Sequence, residues 1–401
     1  MCYHSCPSVP SPKFDADDRA AAKRRPVDPS GSSPENADFC VAACVTRLQA
    51  LWHARSATRR RLDLDAHSGE SSPNLGLGTL SPNAVEVVVE GRRLKLSNLD
   101  KVLYPKAGFT KGQVIDYYTR IAPAVIPHLR NRTLTLKRYP NGVDQPFFYE
   151  KQSPKHRPEW VKTQAVWSEG NSRNVDYTIC NDLPTLVWLA NLADLELHTN
   201  LSLASDVSVP TMMVFDLDPG PPATIVECCR VGLWIRDLLA QLKIQVFAKT
   251  SGSKGLQLYV PLNTPLRYDD TKPFAHAIAE LLEKQHPELV LSSMSKVARE
   301  KKVFVDWSQN DRIKTTVGVY SLRAKDMPTV STPVSWPEVE GCLEDGDPEV
   351  LSFLSDEVLA RYEELGDIFL PVQTLKQKLP QLSGLEAKPA KAGKPRARSR
   401  R

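Results

Sequence analysis

The octapeptide Met213-Val214-Phe215-Asp216-Leu217-Asp218-Pro219-Gly220 constrains this chain more than any other stretch. Residues two apart on a strand point to the same side. A strand here therefore sets Asp216 and Asp218 on one face and Phe215 and Leu217 on the other, against a core. Two carboxylates side by side near a strand end repel each other unless cations neutralise them. Hard oxygen donors at this spacing suit Mg²⁺ or Mn²⁺, and paired ions in phosphoryl chemistry sit about 3.5–4 Å apart. Pro219 and Gly220 end the strand and open the site. Alone, the triplet leaves the class open, because a solvated strand edge, a sugar transferase and a haloacid-type phosphatase all carry it.

Three further segments narrow the field. Val303-Phe304-Val305-Asp306-Trp307 alternates like a strand, and its only acid lies between large apolar neighbours. Such a carboxylate is costly unless partnered; a third metal ligand, an N-cap and a buried salt bridge would each relieve it. Lys249-Thr250-Ser251-Gly252-Ser253-Lys254-Gly255 reads as a loop between strands whose backbone N–H groups converge on an anion, with Lys254 adding a point charge. It lacks P-loop spacing, and a plain flexible turn is the competing reading. An acid pair, an anion loop and a distant third acid are what phosphoryl or nucleotidyl transfer to a triphosphate needs. The run Lys137-Arg138-Tyr139-Pro140-Asn141-Gly142 through Phe147-Phe148-Tyr149-Glu150-Lys151 sets aromatics beside cations, which suits base stacking with backbone neutralisation, or equally a core strand with a polar edge.

Around these motifs the pattern is α+β. Val85, Val87 and Val89 alternate with acids up to Gly91, and Leu94 and Leu96 follow, which predicts a β-hairpin. Thr110 with Gln113 forms a capping box for a helix through Val125, which Pro123 and Pro127 are expected to break. Asp182 with Pro184 opens a second helix to about Leu195. Strands are expected at Met212–Asp218, Gln245–Lys249, Leu256–Val260 and Lys302–Trp307, and longer helices at 223–242 and 272–286. The elements follow no regular βαβ period, which excludes a doubly wound sheet.

Composition bears on the ends. Hydrophobic residues make up 41% and charged residues 25% of the 401, a globular balance. No run reaches a membrane span of roughly eighteen apolar residues, so a cytoplasmic protein without membrane contact is expected. Residues 1–85 read as a disordered or weakly structured extension with one helix over 37–61. Its Cys2/Cys6 and Cys40/Cys44 pairs have an uncommon zinc spacing, and the eight cysteines are read as reduced thiols. Residues 86–375 form the ordered domain. From 376 the chain becomes a basic tail, with seven Lys or Arg and no acid between Lys388 and Arg401; the formal charge of +5 admits a polyanionic partner.

The segments LDKVLYP, KRYPNGVDQPFFYEKQ, DLPTLVWLANLADLELH, VFDLDPG, KTSGSKGL, KVFVDWSQN and YSLRA occur in order from about residue 86 to 340. Together they resemble the polymerase domain of bacterial ligase D, within the archaeo-eukaryotic primase superfamily. The resemblance implies an α+β primase-polymerase core whose mixed or antiparallel sheet is like that of an RNA-recognition fold. It implies two Mn²⁺ or Mg²⁺ ions on Asp216, Asp218 and Asp306, and nucleotide contacts from His198, Ser251, Lys254, Gln257 and Arg323. Lys101 and Lys151 would hold a downstream 5′-phosphate, and Phe148 and Tyr149 would stack on template bases. The implied partners are gapped or broken duplex DNA and NTPs or dNTPs, with an ATP-dependent DNA ligase and an end-binding protein beside them, at the nucleoid. The family motif SGSKGLH reads SGSKGLQ here. Gln257 can donate a hydrogen bond but cannot become cationic, and losing one transition-state donor costs about 10²–10³ in rate in other enzymes. The competing implication is a weakened polymerase that grips DNA ends and recruits a partner.

Overall fold

A computed structural model describes residues 84–380 apart from Lys296. The 37–61 helix, the N-terminal cysteine pairs and most of the basic tail lie outside the described residues. Strands of the two principal sheets are numbered here in chain order: β1 (Leu134–Arg138), β2 (Phe148–Glu150), β3 (Asp194–Thr199), β4 (Met212–Pro219), β5 (Phe247–Thr250), β6 (Leu256–Pro261), β7 (Val290–Leu291), β8 (Val303–Asp306), β9 (Thr316–Val317) and β10 (Pro333–Val334). The helices that matter below are α1 (Lys111–Leu129), α2 (Leu183–Asn191), α3 (Ile225–Gln241), α4 (Tyr268–Gln285) and α5 (Trp336–Asp345).

A six-stranded sheet runs in the order β7-β8-β4-β6-β5-β10, and a four-stranded sheet in the order β9-β3-β1-β2. All pairings in the larger sheet are antiparallel except β7 with β8. The fold is therefore α+β with a mixed, mainly antiparallel sheet, as expected. Met213, Phe215 and Leu217 of β4 bury against α3 and α4 in one core, while Val214 joins a second core with α1, α2 and the smaller sheet. Asp216 and Asp218 thus leave the sheet on the side of the second core, the alternation the sequence predicts.

Hairpin 84–97 forms in register, and the Thr110/Gln113 capping box closes as predicted, with Gln113 N–H donating to Thr110 Oγ1 at 3.3 Å. Pro123 and Pro127 do not break the helix, which continues to Leu129. An interior proline costs about 3 kcal/mol, but Tyr118, Ile121, Val125 and Leu129 are fully buried on this helix, each contributing roughly 1.5–3 kcal/mol. The second helix stops at Asn191 rather than near Leu195. Ala193 turns the chain at φ 64°, and Leu195 lies in β3, which pairs with β1. Its periodicity fits a helix as well as a strand, and tertiary pairing decides between them.

Arg132, 2% exposed, ties these layers together without a carboxylate. Its guanidinium donates to Leu201 O at 3.0 Å, Thr211 Oγ1 at 2.7 Å and Gln373 Oε1 at 3.0 Å. Burial lowers its pKa to about 10. Arg132→Met is expected to destabilise the protein by about 3–5 kcal/mol, because buried acceptors lose their donors at roughly 1–3 kcal/mol each; urea unfolding monitored by tryptophan fluorescence measures it.

Candidate active site

Register places the acids. Asp306 on β8 lies directly opposite Asp216 on β4, and Gln257 on β6 lies opposite Asp216 on the other flank. Lys249 on β5 continues the row beyond Gln257. One line across the sheet therefore reads Asp306, Asp216, Gln257, Lys249. Residues directly opposite in such a pair have Cβ atoms about 4.5–5.5 Å apart. Asp218 lies two residues further along β4, opposite Phe304. Two glycines bring the flanking loops close. A Cβ on Gly220 would meet Arg299 O at 1.7 Å, and one on Gly255 would meet Leu217 O at 2.3 Å.

The electrostatics show what this row lacks. Burial, then the charge of Asp218 and that of Asp306, push the Asp216 carboxyl above the usual carboxylate range, against a hydrogen bond from Gln257. Burial likewise raises Asp218, offset in part by Lys254, Arg299 and Arg323; Arg299 reaches it at 3.9 Å. Asp306 accepts from Ser308 N–H at 3.0 Å, the Ser308 hydroxyl at 2.5 Å and Gln309 Nε2 at 3.0 Å. Among the described residues no three His, Cys, Asp or Glu side chains are drawn into a ready-made ion cage. Even so, three carboxylates on one half-buried sheet face carry negative charge that their neighbours only partly balance, and hard divalent cations fit that donor set.

A cationic pocket adjoins the acids, built differently from the sequence expectation. The Ser253 and Gly255 N–H groups donate to Ser251 Oγ, at 3.3 and 3.1 Å, instead of pointing outward together. Lys249 and Thr250 belong to β5, so the loop proper begins at Ser251. The positive charge comes from the side chains of Lys254, Arg323, Lys325 and Lys137; burial first, then the charges of Arg323, Lys137 and Lys254, lower the Lys325 pKa. Arg323 donates to Ser251 O and reaches Glu196 Oε2 at 3.4 Å.

Glu196, which sequence reasoning missed, organises this pocket. It accepts from His198 Nε2 at 2.9 Å and from the Ala324 N–H at 3.1 Å, with Lys137 at 3.5 Å. Burial opposes its charge, yet the His198 hydrogen bond and the Arg323 charge prevail and hold its pKa at about 2. Burial lowers the His198 pKa, which Glu196 counters. The signal was legible: Glu196 and His198 are two apart on one strand, so they share a face.

Phe148 and Tyr149 are 46% and 59% exposed, which excludes the core-strand reading and leaves the pair free to stack. Arg138 lies 5.6 Å over the Phe148 ring. The two lysines expected to form one pocket behave differently. Lys101 Nζ donates to Asn141 Oδ1 at 2.8 Å, whereas Lys151 is exposed just past the end of β2, with no ion pair among the described residues. Beside Lys101 instead is Lys111, whose N–H donates to Lys101 O at 2.8 Å and whose ammonium donates to Ser97 O at 2.7 Å. It is 6% exposed, and burial, then Lys101 and Arg138, lower its pKa to about 8. Its place inside the capping box hid it as an ordinary helix start.

The site thus combines paired acids on a sheet, an adjoining cationic pocket and exposed aromatics beside basic residues. Comparison is specific. The model of the LigD primase-polymerase domain matches residues 110–369, and the chain belongs to that family. It is 41% identical over 282 residues to the multifunctional non-homologous end joining protein LigD of Mycolicibacterium smegmatis, covering 70% of this chain and 36% of that protein. It is 31% identical over 252 residues to the bifunctional LigD of Bacillus subtilis, covering 63% of this chain and 40% of that one. The chain thus spans well under half the length of these relatives. The polymerase domain of Mycobacterium tuberculosis ligase D, solved in complex with DNA, superposes with a TM-score of 0.66 at 38% identity, over 71% of this chain and 99% of that one.

Proposed function

We propose that this chain is a template-directed nucleotidyltransferase that adds nucleotides, ribonucleotides as readily as deoxyribonucleotides, to primer ends at gaps and double-strand breaks. The observation that carries this reading is the register that sets Asp306 opposite Asp216, with Asp218 on the same strand and a cationic pocket adjoining. Asp216, Asp218 and Asp306 would hold two Mn²⁺ or Mg²⁺ ions. When bound, these would polarise the phosphates and lower the pKa of the primer 3′-hydroxyl. Lys254, Arg323 and Ser251 would orient the triphosphate, with His198 beside the incoming sugar. Pre-positioned cations of this kind act where charge develops in transfer. Phe148 and Tyr149 would stack on template bases, each worth about 1–3 kcal/mol.

Extension of a primer on a gapped duplex with Mn²⁺ and each NTP or dNTP tests the proposal. Template-dependent addition is the expected result. Retained binding to 5′-phosphorylated ends without addition would instead favour an end-binding module that recruits a ligase or end-binding partner.

We propose that Lys101 and Lys111 hold the 5′-phosphate, with Lys151 as a further cation for it. A phosphate dianion raises the pKa of Lys111 from about 8, so binding takes up a proton wherever free Lys111 is neutral. The preference for a 5′-phosphate over a 5′-hydroxyl end should therefore fall by about tenfold between pH 7 and pH 9. Above pH 7 the phosphate is already dianionic, so the slope reports the protein. Fluorescence anisotropy of the two ends measures it; a flat ratio would remove Lys111 from the pocket.

A further inference from the structure

Lys249 is buried at 1% exposure and does not reach the nucleotide pocket as a free cation. Its ammonium donates to Gln257 Oε1 at 2.5 Å and to Ser331 Oγ at 2.6 Å. The Ser331 hydroxyl gives its own proton to Thr250 O at 2.8 Å, so its oxygen is left to accept from Lys249. This fixes Gln257. With Oε1 held by an ammonium, the amide must turn its NH₂ towards Asp216, to which it hydrogen-bonds. Burial lowers the Lys249 pKa well below the ordinary lysine value, against the charge of Asp216; wherever Lys249 carries its proton, an amide flip would set NH₂ against the ammonium, two donors face to face.

We infer that Lys249 is a positioning residue that works through Gln257 to aim the Asp216 carboxylate for metal binding. The row of opposite residues Asp306, Asp216, Gln257 and Lys249 carries this inference. It rests on the proposed reading of Asp216 as a metal ligand. Partners of this kind, one step behind a ligand, change metal affinity by about 10–100-fold when removed. Gln257 is also well suited to the task. A neutral imidazole accepting from Lys249 has one N–H to give, whereas the amide has two, so one can hold Asp216 while the other faces the pocket.

The test is Mn²⁺ binding, read by the EPR signal of free Mn²⁺ with no nucleotide or DNA present. Lys249→Met and Gln257→Met should each weaken Mn²⁺ binding by about 10-fold or more. The double variant should be no weaker than either single one, because both cut the same relay. If Lys249→Met fails to fold by circular dichroism, Ser331→Ala loosens the ammonium instead. It should weaken Mn²⁺ binding in the wild-type background and have no further effect beside Gln257→Met. Wild-type affinity in the single variants, or losses that add, overturns the inference. A wild type that binds Mn²⁺ but extends no primer sinks the proposed function and leaves Lys249 to be judged on binding alone.

Discussion

Asp216→Asn is expected to lower nucleotide addition by at least about 10³-fold while making the metal-free protein more stable. On the proposed reading, the rate loss follows from removing a metal ligand whose ion would supply several kcal/mol of transition-state charge. The stability gain follows from the same geometry. In the metal-free protein the Asp216 carboxylate is buried beside Asp218 and opposite Asp306, and both acids disfavour its ionised form. Asparagine keeps an oxygen for the Gln257 amide and removes one of the three charges. A gain of about 1–2 kcal/mol is the expected size, since one unit of pKa shift is about 1.4 kcal/mol. Primer extension and urea unfolding in EDTA measure the two effects. A variant that loses activity and stability together would mean that Asp216 serves the fold.

Such a trade of stability for function is the mark of a site built to bind something. Ser308 has the opposite character. Its hydroxyl and N–H both donate to Asp306, and Lys314 Nζ donates to the same hydroxyl at 2.5 Å. The third acid therefore enters the row already oriented.

Local pattern made much of this legible. Alternation along residues 213–218 and 303–306 gave the faces of two strands, and flanking apolar residues marked Asp306 as needing a partner. What alternation cannot give is register between strands about ninety residues apart, which is set by long-range packing. The pairing of Asp216 with Asp306 and the Gln257–Lys249 link were hidden for that reason. Lys249 shows the limit most clearly. Read both as the last residue of a strand and as the first of the anion loop, it is a buried strand residue in the row of the carboxylates. Proline misled in the same way, because the cost of Pro123 and Pro127 is local and the burial that outweighs it is not. Gln257, expected to weaken the site, retains a donor at Asp216, so the 10²–10³-fold loss anticipated from sequence should shrink; Gln257→His should then change extension by less than about tenfold.

Arg323→Met is expected to dismantle the cationic pocket from behind. Arg323 bridges the Ser251 carbonyl and the Glu196 carboxylate, so its loss frees the loop and leaves Glu196 short of a cation. Glu196 is 1% exposed, and its folded pKa of about 2 lies below the ordinary glutamate value of 4.5. A depressed folded pKa contributes stability that is present above the unfolded value and lost as pH falls from about 4.5 towards 2. Without Arg323 the Glu196 pKa should rise, and part of that contribution should vanish at neutral pH. The variant should be less stable by about 1–3 kcal/mol and lose stability less steeply between pH 5 and pH 3 than the wild type. Its nucleotide-addition efficiency should fall by about 10²–10³-fold, the size of effect seen when one charge-stabilising donor is removed. Arg323→Lys should recover little of it, since an ammonium cannot span two acceptors in the fixed fork of a guanidinium. Equal acid sensitivity in wild type and Arg323→Met would show that His198 and Lys137 suffice to hold Glu196 ionised, and that Arg323 serves the Ser251 loop alone.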